Sequence, residues 1–454
     1  MSSPRLSRRR SPPAPNRLCT TTGETCHKRV RTGVPRVWGG RVTTSVETRL
    51  HRPGTASYRR FNAAMVLAGL AGFGILYAAQ PVLPLIGHEF GVSPARASLA
   101  VSASTGALAV AVVPAAAVAA RWGRVRTMRA GLVAAVLLTA LAAVAPTYAV
   151  LVVLRVLAGA ALAGVVAVAM GHVGSEMHPA GLGSAMGLFV AGNSLGGVSG
   201  RLLGAAVADL ASWRVAFAVL AACALAITVA FWRLLPDPVA DHRAQDRGRT
   251  RWVEVARRPG LLSLLSIPFL LMGGFVAVYN YLGFRLVADP FSLPLAVAGL
   301  VFLAYLAGTV SAAVAGRLAD AFGRPPVLVG SVVVSAAGLA LTLPDRLPLV
   351  VAGLVVYTAG FFGAHATASG WVPVVAGPYA GVGAAAYVCS YYAGSSVFGA
   401  ALGVAWTGSG WAGVAGSVGV LTLLGLAAAT VVTVRARTTR DCQCVLSASG
   451  DRVT

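Results

Sequence analysis

Two arginines stand where arginine is costly. Arg155, in LVVLRVLAGAA (151–161), and Arg201, in SGRLLG (199–204), interrupt long apolar runs. A cation in hydrocarbon needs an acid, backbone carbonyls, water or a solute beside it. Other large polar groups recur in similar runs: Tyr77 and Gln80 one helical turn apart before Pro81, Asn193 in AGNSLGG, Tyr279 and Asn280 in YNYLGFRL, His365 in GAHATASGW, and Tyr391. These are hydrogen-bonding and aromatic groups, with no nucleophile beside a base and no metal-ligand spacing, so neither catalytic residues nor a metal are expected. Their chemistry is recognition of a polar solute inside a membrane. The acids near apolar runs, Glu89, Glu176, Asp209, Asp289 and Asp320, all lie at run ends, which leaves Glu89 and Asp209 as structural partners for the arginines. Without facing acids, Arg155 and Arg201 suit neutral or anionic solutes better than cations, although aromatic rings also take cations. Packing is the competing role for Asn193. Interface anchoring competes for the tyrosines near run ends, Tyr305 more than Tyr279 or Tyr281.

The elements that must position these groups are membrane spans. In 454 residues, 57% hydrophobic and 11% charged with mean hydropathy +0.75, there is more apolar surface than a soluble chain could bury. Runs of roughly 20 residues, enough to cross hydrocarbon, occur at 61–86, 97–120, 127–145, 149–171, 183–208, 214–232, 261–286, 295–316, 326–343, 348–371, 382–405 and 411–434. The fold class is therefore an all-α polytopic membrane protein of twelve transmembrane helices. Apart from Arg129 and Arg214 at their ends, spans 3, 6, 9 and 12 lack Arg, Asp, Glu, His, Asn, Gln and Tyr, so every third span faces lipid and the others line a pathway.

The net charge of +23 invites a nucleic-acid reading until its placement is considered. Fourteen basic residues precede position 61, and most others fall in alternate loops, at 121–129, 233–258, Arg317, Arg324 and beyond 435. That is the positive-inside asymmetry of cytoplasmic segments, so both termini are placed inside and no nucleic acid is expected. Residues 1–60 lack a secretory apolar region and read as a basic disordered tail. A six-helix bundle at 61–232, a cytoplasmic linker at 233–260, a second bundle at 261–434 and a tail at 435–454 complete the chain. Cys19, Cys26, Cys223, Cys389, Cys442 and Cys444 form no disulfide framework.

The two bundles are repeats. GRLADAFGR (316–324) has a blurred copy, AVAARWGR, at 117–124: a shift of 200 sets Gly123 and Arg124 on Gly323 and Arg324, and Gln80 on Asn280, while Ala120 replaces the acid of Asp320. A shift of 202 sets GNSLGG (192–197) on GSSVFG (394–399). A loop of this type, with glycines for close approach and an acid near basic groups and helix ends, could latch two helices through Gly123, Arg124, Gly316, Asp320, Gly323 and Arg324. For each arginine alone, setting topology is the competing role.

GRLADAFGR resembles the loop signature of the major facilitator superfamily, LVVLRVLAGAA its span-4 signature, and AGNSLGG its antiporter span-5 signature with Asn193 in place of proline. LYAAQPVLP (76–84), SGRLLG, YNYLGFRL and GAHATASGW are similar to its bacterial acriflavine-sensitivity branch of drug or metabolite exporters. The resemblance covers residues 60–435 and implies the major facilitator fold, two six-helix pseudo-repeats around a central site. It further implies a secondary active exporter of a small organic solute, working by alternating access with proton antiport. That implies a multi-pass chain in the bacterial cytoplasmic membrane, acting as a monomer with lipid, a small-molecule substrate and protons as partners and no cofactor. An uptake permease uses the same architecture. A polytopic enzyme would need clustered His, Asp or Glu, and a sensor would carry a soluble effector domain; neither is visible.

Overall fold

The computed structural model of the chain describes residues 50–236 and 260–450, with Glu254 and Arg258 between them, and side chains as far as Arg435. Within that range the chain is helical. The crossing helices are α1 (Ala56–Leu76), α2 (Leu99–Trp122), α3 (Arg124–Ala143), α4 (Tyr148–Glu176), α5 (Pro179–Leu210), α6 (Trp213–Leu234), α7 (Leu261–Val287), α8 (Ala304–Phe322), α9 (Arg324–Leu341), α10 (Leu347–Ala376), α11 (Ala380–Ala401) and α12 (Gly403–Gly450). Among the described residues ten segments are long and apolar enough to cross a membrane; one of them, Leu347–Ala401, holds both α10 and α11. Glycine-rich α5, which carries Asn193 and Arg201, is not among them, yet it packs in the bundle as the fifth crossing.

Several expected boundaries move. Helix α1 begins at Ala56 inside the stretch read as a tail, and residues before it are tied down: His51 donates its N–H to the Glu176 carbonyl (3.0 Å) and accepts from His178 N–H (3.1 Å). The rest of the tail, most of the linker, and the side chains of Cys19, Cys26, Cys442 and Cys444 lie outside the described residues. Tyr77 and Gln80 lie beyond the end of the first helix and not within it: α1 stops at Leu76, the Gln80 N–H reaches the Tyr77 carbonyl (3.0 Å) across a tighter turn, and Gln80–Val82 forms a 3-10 turn leading into a short helix, Leu83–Phe90. Gly316 and Asp320 are not in a loop: nothing between Ala304 and Phe322 breaks a helix, so α8 runs on until Gly323. Both Gly123 (φ 101°, ψ 141°) and Gly323 (φ 86°, ψ 157°) adopt a backbone region closed to side-chain-bearing residues. This shared turn is why glycine recurs at a spacing of 200 residues while the acid does not.

The repeat is visible in the packing. Helix α1 packs on α5 and α6, α2 on α4, and α3 on α4 and α6; in the second half α7 packs on α11 and α12, α8 on α10, and α9 on α10 and α12. Without water to drive helices together, close backbone approach does so. A Cβ at Gly192 or Gly200 would overlap the α1 backbone at Val66 or Gly74, and one at Gly394 would overlap the α7 backbone at Phe269. The glycines matched by a shift of 202 therefore make the same helix crossing twice.

Between the halves, α2 packs on α11, and α5 on the Leu295–Gly299 and α8 region. Among the described residues, the side-chain hydrogen bonds that cross are Gln80 to Asn280, Arg201 to Tyr305, Tyr281 to Ser98, Ser395 to Thr105, and Asp209 to the Leu295 N–H. All of them lie toward the end of the bundle opposite the Gly123 and Gly323 turns.

Candidate functional site

Arg201 is delivered by α5 to the boundary between the halves, where it is 1% exposed, as is Gln80, and Asn280 is fully buried, so water does not compete for their hydrogen bonds. Its Nε donates to Gln80 Oε1 (2.6 Å), Nη1 to the Gly197 carbonyl (2.7 Å) and Nη2 to the Tyr305 hydroxyl (3.2 Å). The guanidinium also stands over the rings of Tyr77 (4.2 Å), Tyr305 (4.7 Å) and Phe302 (5.2 Å). Ring faces of this kind stabilise a desolvated cation by about 2 kcal/mol, and here they stand where a carboxylate would be expected.

The arginine sets the polarity of the next links. Because Arg201 requires an acceptor, Gln80 must present Oε1 to it, which turns Nε2 toward Asn280 Oδ1 (2.8 Å). Asn280 then has its own amide N–H₂ left to donate, and gives it to the Gly399 carbonyl (3.3 Å). The result is a directed chain from α5 through the α1 break to α7 and α11.

Arg155 behaves differently. Nε donates to the Ala100 carbonyl (3.0 Å), Nη1 to the Ile75 carbonyl (3.0 Å) and Nη2 to the Leu76 carbonyl. It thus caps the last carbonyls of α1, whose helix dipole supplies partial negative charge. The Tyr77–Ala79 break lies between these two arginines, and their donors hold its ends. Neither uses the acids expected from sequence. Glu89 pairs with Arg214 (2.7 Å) and accepts from Trp213, while Asp209 accepts from Leu295 N–H (2.9 Å).

An aromatic wall continues from Arg201 into the second half. Tyr279 stacks on Phe302 (5.5 Å), contacts Tyr305 (4.9 Å) and shares a hydrogen bond with Thr358 (2.8 Å). Phe275 stacks on Phe361 (3.9 Å), which stacks on His365 (6.1 Å). His365 meets Tyr391 (4.9 Å) and bonds through Nδ1 to the Tyr387 hydroxyl (2.9 Å). Tyr77, Tyr305, Tyr387 and Tyr392 are all electrostatic neighbours of Tyr391, and both His365 and Tyr391 remain partly exposed.

Tyr77, Gln80, Arg201, Tyr279 and Asn280 therefore come together, with His365 and Tyr391 continuing the same wall. Asn193 does not join them. It lies two helical turns earlier on α5, against Gly69, Phe73, Leu162 and Phe189, with its buried Oδ1 unpartnered among the described residues. Gly316 and Asp320 are exposed, and among the described residues no hydrogen bond or ion pair holds Asp320 or Arg324; Arg124 donates to Ser175 Oγ (2.8 Å) and to the Gly171 carbonyl (3.2 Å). Sequence reasoning ranked Tyr305 lowest and omitted Phe302, yet both enclose Arg201. The requirement that a buried cation be faced by something was the signal that could have found them.

Comparisons with known proteins agree with this architecture. The sequence model of the Major Facilitator Superfamily matches residues 64–397. Inner membrane transport protein YnfM of Escherichia coli (strain K12) is 38% identical over 376 residues, 82% of this chain and 90% of the relative. The MFS-type transporter YybF of Bacillus subtilis (strain 168) is 35% identical, covering 83% and 94%. Among solved structures, a bacterial homolog of the human lysosomal transporter Spinster superimposes with TM-score 0.71 at 16% identity, over 85% of this chain and 98% of that one. The nucleoside transporter NupG gives TM-score 0.66 at 13% identity, over 82% and 99%.

Proposed function

The chain belongs to the major facilitator superfamily, and we propose that it is a secondary active exporter of a small organic solute, working by alternating access with proton antiport. It is a multi-pass membrane transporter and not an enzyme. What supports the finer reading is the position of the contacts between the halves. They cluster at one end, so two six-helix bundles, 61–232 and 261–434, can rock about that end while the other separates. The arginines beside the Gly123 and Gly323 turns, Arg121, Arg124, Arg126, Arg129, Arg317 and Arg324, put that other end in the cytoplasm of a bacterial inner membrane. The site open to the cytoplasm is then the wall of Tyr391, His365 and Tyr77, closed beyond by Arg201, Gln80, Asn280 and Tyr305. Among the described residues no carboxylate reaches this wall, so the exchangeable proton falls to His365. In the latch reading, Asp320 and Arg324 become engaged when the cytoplasmic end closes, with Gly123, Arg124, Gly316 and Gly323 around them. Arg155 supports the site by holding the α1 break, and Asn193 by packing α5 on α1.

The test is accumulation of a labelled compound panel in everted membrane vesicles, with and without an inside-acid pH gradient, against vesicles lacking the protein. Gradient-dependent accumulation of a compound is the expected result. Movement that equilibrates without the gradient would overturn antiport and favour an uptake permease or facilitator. No movement of any compound would overturn the exporter reading.

A further inference from the structure

We propose that Arg201 is the receptor for a negatively charged head group, and that the solute is an organic anion with a planar apolar body. The inference rests on the transport reading above and names its substrate class. Charge balance carries it. Every other carboxylate among the described residues is engaged elsewhere or lies far along the bundle. Glu89 holds Arg214, Asp345 holds Arg285, Glu176 pairs with His172, Asp209 accepts from Leu295, Asp289 from Ser292 and Glu254 from Tyr379, while Asp320 sits exposed near the far end of α8. Arg201 is left with a full positive charge in a site closed to water, faced by neutral oxygens and rings alone. Arg155 is equally without a carboxylate, but all three of its nitrogens donate to backbone carbonyls, two of them at the C-terminal end of α1 where the helix dipole adds negative charge.

The guanidinium also has room for a ligand in its hydrogen bonding. Three of its five N–H groups are taken; one on each terminal nitrogen has no acceptor among the described residues. The contact at Nη2, with the Tyr305 hydroxyl at 3.2 Å, is the longest of the three and the acceptor is neutral. A carboxylate or sulfonate replaces such a hydroxyl favourably, since it adds an ionised acceptor and can take two parallel N–H groups of the guanidinium. Tyr305 belongs to the opposite half, so anion binding and closure of the halves compete for one nitrogen. The rings of Tyr77, Tyr305 and Phe302 enclose the cation, and His365 and Tyr391, the partly exposed aromatic groups beyond them, are the surface offered to the remainder of the solute.

The experiment is equilibrium dialysis of the full-length protein in nanodiscs against three probes of one shape: naphthalenesulfonate, naphthalenesulfonamide and naphthylmethylammonium. The sulfonate is expected to bind best. Arg201→Gln should weaken it roughly ten- to hundredfold while changing the sulfonamide little. Tyr305→Phe, which frees Nη2, should tighten the sulfonate severalfold and leave the sulfonamide unchanged, a result that a purely structural Arg201 would not produce. Equal binding of sulfonate and sulfonamide, tighter binding of the ammonium, no binding of the sulfonate, or a preference that survives Arg201→Gln would each overturn the proposal. If Arg201→Gln does not fold, Tyr305→Phe decides, and an unchanged sulfonate affinity overturns it. Preference for the ammonium would leave the vesicle result standing and change only the substrate class.

Discussion

The bond between Gln80 and Asn280 joins the halves, and removing it should shift the balance between closed and open states by a calculable amount. Asn280 makes two side-chain hydrogen bonds. The one to the Gly399 carbonyl joins α7 to α11 and is kept whichever end of the bundle is open; the one from Gln80 Nε2 (2.8 Å) crosses to the first half and exists only while this end is closed. Asn280→Ala removes both, but only the crossing bond differs between the two states and so biases their ratio. Hydrogen bonds between membrane helices contribute about 0.6–1.5 kcal/mol, which makes the open population rise roughly three- to twelvefold. Ser102 reports on this opening, since it is 1% exposed and its Oγ lies only 2.7 Å from where a Cβ on Gly399 of the other half would fall. The assay is the labelling rate of Ser102→Cys by a membrane-impermeant maleimide, in a chain whose native cysteines are replaced by serine. Arg285→Gln is the control. Its bonds to the Thr342 carbonyl (2.6 Å) and Asp345 (2.7 Å) stay within the second half, so it should lower thermal stability without raising the labelling rate. Unchanged labelling in Asn280→Ala, or an equal rise in Arg285→Gln, would refute the division into crossing and internal bonds.

Two further outcomes follow from local geometry. Gly123→Ala should cost about 1–3 kcal/mol through backbone strain alone, because φ is 101° and nothing lies within 4 Å of an added Cβ; helical Gly316→Ala, equally free of neighbours, should stabilise by about 0.5–1 kcal/mol, both read by thermal unfolding in detergent. Burial holds the His51 imidazole below its ordinary value, with Glu176 opposing the shift. The neutral ring is thus favoured in the folded protein, and its contribution is complete above the ordinary histidine range and lost as pH falls through the lowered value. Protection of the His51 and His178 N–H groups, measured relative to intrinsic hydrogen exchange at each pH, should fall on acidification below about pH 6.5, and His51→Leu should remove that dependence.

The twelve crossings were legible because each is a run of largely apolar residues, glycine-rich α5 included at 183–208. Helix ends were harder. Ala, Leu, Asp and Phe at 319–322 carry no stop signal, so the end of α8 is set by Gly323, and Gly316 falls inside the helix. The candidate site was half visible. Buried Arg, Gln and Asn stand out in apolar sequence, but the groups that face them do not, since a carbonyl is present in every residue and a ring in an apolar run reads as core. Acids were sought for Arg155 and Arg201, and the structure supplies helix-end carbonyls to one and tyrosines to the other. For Tyr305, alone in its run, interface anchoring competes with a site role in the sequence. The Leu295–Gly299 helix and the Leu300–Leu303 turn before it place that position inside the bundle.

The contact between Gln80 and Asn280 is a meeting of like positions. The two positions correspond in the repeats, 200 residues apart, and they touch, so they lie beside the axis that relates the halves. A residue beside a two-fold axis meets its own copy. Arginine would repel itself there, aspartate likewise, and leucine would offer no direction; an amide carries both donor and acceptor and is complementary to itself. In this chain Arg201 polarises one side of the pair, so that a clasp between like groups is directional.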